Sequence, residues 1–255
     1  MCRMIGFAGQ DAKTLREYLQ AFYPLCAKGL VKSGAKPGHR DGWGLAGYRN
    51  DEPVYYERRA RDASAEPSGW RKATLQTETD PGPIVLAHFR KASVGDRRLE
   101  NTHPFHRGGW LFCHNGTLDH AEGLPLKKYR PEGHTDSERL FLFLLESIEY
   151  AGDPVSGLKK AFAWLQKNQP HNSLTSLLTD GKTLFACRSY SDQHLAKGET
   201  LEERERYYTL WVAGGPGGLV CSEPILKDKT DWKKLSRGEL AILRPGQPIQ
   251  IEKIS

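Results

Sequence analysis

The segment Met1 to Gly9 reads M-C-R-M-I-G-F-A-G, an apolar run of strand character with a cysteine at its second position. Removal of the initiator methionine, which a small second residue generally permits, would leave a thiol and a free α-amine on one terminal residue. An α-amine has an ordinary pKa of about 7.7 to 8.0, so a useful fraction is neutral at pH 7 and can take the proton of the attacking side chain. Such a nucleophile needs no separate histidine, but it does need an anchored terminus, because chain ends fray unless a sheet holds them. If Cys2 is to do chemistry, the chain has to begin inside a sheet. Taken alone, Cys2 also reads as a small buried residue of a first strand, the commoner fate of a free cysteine.

The rest of the chain mixes strand and helix signals. A helix is predicted from near Asp11, with Leu15, Tyr18, Leu19 and Phe22 at helical spacing and Pro24 ending or kinking it. Gly42 to Tyr48, Pro53 to Glu57, Ile84 to His88 and Trp110 to His114 read as strands. Arg58 to Gly82 is polar, holds Pro67 and Pro81, and reads as a surface excursion; Arg90 to Gly109 reads as a loop. Thr135-Asp136-Ser137-Glu138 has the form of a capping box for a helix from Asp136 to Tyr150, whose Leu140, Phe141, Leu144, Leu145 and Ile148 share one face. A second helix is predicted over Val155 to Lys167. Asp180-Gly181 between two strand-like runs signals a hairpin, and Tyr207 to Ala213, Gly218 to Ser222, Glu239 to Leu243 and Ile249 to Ile251 read as further strands. Strands around two adjacent helices imply an α+β layered domain.

At 255 residues the chain can bury a substantial core, and one domain over residues 2–255 is expected. The longest apolar run, near Leu140 to Leu145, is far short of the roughly 20 residues of a membrane span, and no basic and apolar leader opens the chain. A cytoplasmic protein with no membrane association is expected. Five scattered cysteines without a C-x-x-C pair suggest reduced thiols rather than a disulfide framework or zinc ribbon. The net charge of +6 is spread among interleaved acids and bases, so it implies no nucleic-acid partner. No phosphate-cradling glycine loop is present, and the H-x-x-H of His103 and His106 lies on an irregular segment without a recognisable carboxylate partner, so no cofactor or metal is expected. Cys113 beside His114 makes a poor catalytic pair, since neighbours on a strand point to opposite faces.

Four short segments carry the chemistry in a fixed order: Cys2 with Arg3 and Gly6; H-R-D-G-W-G at His39 to Gly44; A-H-F-R-K-A-S at Ala87 to Ser93; and N-T-H-P-F at Asn101 to Phe105 leading to H-N-G at His114 to Gly116. Thr135 to Glu138 completes the set. In this order and spacing the chain resembles the class II glutamine amidotransferases, which are N-terminal nucleophile hydrolases, and within them the small stand-alone bacterial members. The motifs cover roughly the first 140 residues; the general likeness reaches nearly to the C-terminus and includes S-E-P at Ser222 to Pro224 and Trp232.

The resemblance implies a four-layer αββα N-terminal nucleophile fold with two antiparallel sheets. It implies that Cys2 attacks the side-chain amide of glutamine, giving a thioester and ammonia, with the α-amine as base and then acid. Asn115 and the N–H of Gly116 would form the oxyanion hole, although Asn-Gly is also the favoured two-residue hairpin turn. Arg90 would hold the substrate α-carboxylate and Asp136 its α-ammonium; the plain alternatives are an exposed loop arginine and an acid placed for the helix dipole. Ser93 would line the glutamine site or else cap a turn, and His103 would stand behind the reacting groups or simply be a satisfied loop histidine. Many synthase-linked members have R-W-A-T where this chain has Arg90-Lys91-Ala92-Ser93, and their tryptophan resembles a gate on ammonia. With Lys91 in its place and no synthase-like segment recognisable, channelling within the chain is not expected. The implied function is a glutaminase or amidotransferase acting on a small-molecule substrate, with ammonia passed to a separate partner protein. A stand-alone hydrolase of γ-glutamyl compounds and a non-catalytic glutamine-binding module are the alternatives.

Overall fold

The computed structural model describes residues 2–79, 81–193, 195, 198–215 and 217–254. Two antiparallel sheets lie face to face between helices. The first has the order β11 (Lys233–Lys234), β9 (Trp211–Ala213), β10 (Gly218–Cys221), β1 (Arg3–Ala8), β4 (Ile84–Phe89), β2 (Trp43–Arg49), β3 (Glu52–Arg59). The second runs β13 (Gln250–Lys253), β12 (Glu239–Leu243), β8 (Leu184–Arg188), β7 (Thr175–Thr179), β6 (Trp110–Asn115), β5 (Phe105–Arg107). The chain's first strand is therefore central, paired along its length with β4 on one side and β10 on the other.

Alternation along the strands builds three layers of core. Met4, Leu86 and Ala46 of the first sheet meet Leu111, Cys113 and Leu177 of the second in the layer between them. Ile5, Phe7, Ala87 and Phe89 face outward onto α1 (Ala12–Phe22) and α3 (Pro67–Thr79), with the Phe22 and Phe89 rings stacked at 4.8 Å. Phe112 and Leu178 face the opposite way onto α4 (Asp136–Ala151) and α5 (Pro154–Asn168), where Phe112 stacks on Phe141 at 5.1 Å. This is the αββα arrangement expected from the resemblance.

The strong patterns formed the expected elements. Asp11 caps α1, which stops at Phe22, and Pro24 opens a separate turn of helix, α2 (Leu25–Lys28). The Asp180-Gly181 signal sits in the β7–β8 hairpin. Three readings are corrected. The supposed excursion between Arg58 and Gly82 holds α3, with Pro67 at its start, where a missing N–H costs nothing. Its buried face is Trp70 flanked by Gly69, Ala73, Thr74 and Thr77, small or hydroxylated residues that hide the period. Tyr207 is the last residue of a helix, α6 (Leu201–Tyr207), capped by Thr200, so the strand that follows is only Trp211–Ala213. Within the supposed Arg90 to Gly109 loop, β5 pairs with β6 through a two-residue Gly108-Gly109 turn in which both residues take positive φ, 56° and 82°. Among the described residues no helix is long and apolar enough to cross a membrane.

Candidate active site

Cys2 precedes β1 and is 6% exposed. Its main-chain N–H donates to Asn115 Oδ1 at 2.9 Å, across the gap between the two sheets. The Lys91 N–H points at Cys2 Sγ at 3.5 Å, a main-chain donor beside the sulfur. The terminus is tied down strongly. Ser222 Oγ takes the N–H of Met4 at 2.8 Å and donates to its carbonyl at 3.0 Å. Arg3, fully buried, pairs with Glu223, donates to the carbonyls of Leu30 and, at 2.8 Å, Cys2, and lies over the Tyr207 ring. Ser222-Glu223, noted in the sequence only as part of a general likeness, thus clamps the strand that presents Cys2. Nothing local to either segment signals this.

Asn115 ends β6, where it pairs with Thr175 of β7. The chain does not turn back after Gly116, so the hairpin reading of Asn-Gly is excluded; the neighbouring strand arrives some 60 residues later. With Oδ1 committed to Cys2, the other end of the amide, Nδ2, is a buried donor with no protein partner. Glycine is required at 116 by space: an added Cβ would lie 2.0 Å from the Ser173 carbonyl oxygen.

The segment from Asn115 to Leu118 gathers the remaining expected residues. Thr117 Oγ1 meets Ser93 Oγ at 2.8 Å, and the Leu118 N–H donates to Asp136 Oδ2 at 2.8 Å. Asp136 opens α4 beneath Thr135, whose Oγ1 accepts the Glu138 N–H at 3.2 Å. Only half of the capping box forms, because the Glu138 carboxylate takes the N–H groups of Glu132 and Gly133 instead. Burial pushes the Asp136 carboxyl up to about 6, against the pull of the Leu118 N–H and the Arg90 charge. Asp136, Thr117 and Val94 border a pocket of about 560 Å³.

Arg90 is not the exposed loop arginine of the plain alternative; it is 2% exposed. Its terminal nitrogens donate to the carbonyls of Val94 at 2.8 Å, Asp96 at 2.9 Å, Gly95 at 3.1 Å and Asp41 at 3.5 Å. The guanidinium thus organises the 94–96 segment, its two terminal nitrogens both turned to main-chain carbonyls. Sequence reasoning missed Asp41, which fixes the same segment: its carboxylate takes the Ala92 N–H at 2.9 Å and pairs with Arg97. Burial raises the Asp41 carboxyl, but those two donors more than offset it and hold the group below its usual range. Lys91 reaches the carbonyls of Lys36, at 2.6 Å, and Gly38, at 3.1 Å, joining that segment to the one before His39.

His103 is buried and stacked between His88 and Phe105, at 4.2 and 4.3 Å, whereas His106 is exposed; the two do not converge. Among the described residues no group of three or more metal-ligating side chains comes together. Cys113 faces the inter-sheet layer and His114 faces α4, as neighbours on a strand must.

The sequence profile of the class-II glutamine amidotransferases matches residues 20–201, a range that holds Arg90, Ser93, Asn115, Gly116 and Asp136 and begins after Cys2. The uncharacterized protein MJ1515 of Methanocaldococcus jannaschii is 30% identical over 239 residues, covering 84% of this chain, which spans only 64% of that protein. YafJ of Escherichia coli K12 is 26% identical over 243 residues, covering 87% of this chain and 92% of its own. The solved structure of a glutamine aminotransferase class-II domain protein from Silicibacter pomeroyi superposes over 100% of both chains with a TM-score of 0.64 at 22% identity, a likeness of fold. With its matching profile and its two facing antiparallel sheets, this chain belongs to the class-II glutamine amidotransferases.

Proposed function

We propose that the protein hydrolyses the side-chain amide of glutamine with Cys2 as nucleophile, the whole of residues 2–255 acting as one unit. The observation that carries this reading is the bond from the Cys2 N–H to Asn115 Oδ1, which leaves the buried Nδ2 of the same side chain as a free donor. With Met1 removed, the same nitrogen is the α-amine. It takes the Sγ proton as sulfur attacks the amide carbon, and Asn115 Nδ2 with the Gly116 N–H stabilises the charge on oxygen. Collapse breaks the C–N bond, the amine returns the proton to the leaving nitrogen, and ammonia departs. Water then attacks the thioester by the same proton path and releases glutamate. Asp136 holds the substrate α-ammonium, Ser93 lines the site through Thr117, and Arg90 holds the α-carboxylate once the 94–96 segment yields an acceptor.

Ammonia passes to a separate acceptor protein in this reading. A cytoplasmic location is supported by five cysteines that are all free and buried. The test is glutamate release from glutamine and from γ-glutamyl amides and peptides, comparing the wild type with Cys2→Ala, with intact mass reporting loss of Met1. Glutamine turnover abolished by the substitution supports the reading. Preference for a γ-glutamyl peptide would replace it with the stand-alone hydrolase, and retention of Met1 on an active protein would overturn the amine's role.

A further inference from the structure

The reading of Cys2 and Asn115 as nucleophile and oxyanion donor raises a mechanical question. The two residues belong to different sheets, and their bond alone fixes neither the direction of the Asn115 amide nor its distance from the substrate. A set of buried histidines lies behind them. His88, in β4, sits beside Met4 on one side and Gly44 on the other, fully buried. Its Nε2 lies 3.3 Å from the carbonyl oxygen of His114, in the peptide unit that joins His114 to Asn115. This contact, like that of Cys2 with Asn115, crosses from one sheet to the other.

His114 extends the set in the opposite direction. Its Nε2 is 3.0 Å from the Ser173 carbonyl, the same carbonyl that leaves no room for a side chain at Gly116. Its Nδ1 is 2.9 Å from Ser137 Oγ, one residue beyond Asp136 in the first turn of α4. Carbonyl oxygens only accept, so both rings must carry hydrogen on Nε2, and the Ser137 hydroxyl must donate to the Nδ1 of His114. Each ring then has a single tautomer dictated by its neighbours. His103 adds a flat face rather than hydrogen bonds: both its ring nitrogens are buried without partners, and it stacks on His88.

We propose that His88 and His114 form a two-step brace that positions Asn115 and Asp136 against Cys2, His88 from the sheet that presents the thiol and His114 from the sheet that presents the amide. Neither ring touches the substrate; they are positioning residues, and the proposal rests on the functional reading above. The groups that face them are mutually consistent. Burial drives His88 and His114 down to about 3 and His103 well below its usual range, with Arg90 nearby acting in the same direction on His88 and His103. A neutral ring is what an acceptor carbonyl on one nitrogen and a one-donor geometry demand.

The experiment has two arms. In ¹⁵N-imidazole spectra of the wild type, assigned by single substitution, His88 and His114 should both appear as neutral Nε2–H tautomers from pH 5 to 8. Protonation of either ring near pH 6, or the Nδ1–H tautomer, overturns the proposal. In the kinetic arm, His88→Leu removes the donor and should lower kcat about 10- to 100-fold with KM for glutamine little changed, since misplacing an oxyanion donor affects the transition state. His88→Gln, which can return an N–H to the same carbonyl, should recover most of that loss. Ser137→Ala should instead raise KM several-fold, because it loosens the helix turn that carries Asp136. A His88→Leu protein with wild-type Tm and unchanged kcat overturns the brace; if that variant fails to fold, the split between His88→Gln and Ser137→Ala decides it. Should the wild type turn over no glutamine at all, the functional reading fails by itself and the tautomers still decide whether the brace exists.

Discussion

Asn115 meets Cys2 with the oxygen end of its amide, at 2.9 Å, and leaves the nitrogen end buried without a protein partner. Acceptor and donor of one side chain thereby serve two different purposes, and they can be separated. Asn115→Asp keeps an oxygen for the Cys2 nitrogen but removes the donor. Its kcat should fall about 10²- to 10³-fold while the protein remains folded, as steady-state kinetics beside a thermal melt would show. Near-wild-type kcat would exclude Asn115 from the oxyanion hole.

Asp136 makes a pH-dependent contribution whose direction follows from burial. Its carboxyl is raised from 3.8 to about 6 in the folded protein. The folded state therefore binds this proton more tightly, and the stability it contributes is present below the unfolded value and lost as pH rises through about 6. Binding an ammonium needs the ionised form, so KM for glutamine should climb by up to about tenfold per pH unit below pH 6. Asp136→Asn should show a raised KM without that dependence. At pH 7 it should also melt higher, by the equivalent of about 1–3 kcal/mol, because a desolvated charge is gone.

Gly116 tests the geometry by volume alone. An added methyl would sit 2.0 Å from the Ser173 oxygen, which is main chain and cannot rotate away. Gly116→Ala should cost at least about 2 kcal/mol and abolish turnover, read by denaturant unfolding and glutamate release. A stable, active variant would mean that β6 and the Ser173 segment are farther apart than described.

Ser222 clamps Met4 through two hydrogen bonds. Ser222→Ala leaves a buried N–H without its acceptor, at a cost of about 1–3 kcal/mol. Tm should fall by several degrees, and amide exchange should rise selectively in β1. Uniform loosening of the whole first sheet would point to a general packing defect instead.

Much of this arrangement was legible locally. The capped, amphipathic α4 and the apolar β4 and β6 were evident in the sequence, since their burial leaves a period that neighbouring residues alone determine. Helix α3 was not, because its inward face relies on Thr74 and Thr77, whose hydroxyls bond back to the helix carbonyls of Trp70 and Thr74. The T-x-x-E of Thr200 and Glu203 marks the start of α6, whereas the aromatic pair Tyr207 and Tyr208 at its end has the look of an opening strand. Arg90 and Asp136 were recognisable by type, but the carbonyls that occupy Arg90 depend on how its own loop folds back. Gly116 could be read as a turn because nothing nearby in sequence says that Ser173 presses on it.

Because the thiol and the amide are mounted on opposite sheets, the separation between them is set by what fills the space behind. Met4, Leu86, Leu111 and Leu177 in that layer work as spacers whose summed thickness decides how far apart Cys2 and Asn115 stand. Trimming one of them by a methylene would cost about 1 kcal/mol of stability and also let the sheets settle by a fraction of an ångström, so that one substitution changes a melting temperature and an inter-sheet distance together. Under the proposed mechanism, side-chain volume deep in the interior would be a kinetic quantity, and turnover rate a gauge of how the two sheets are shimmed.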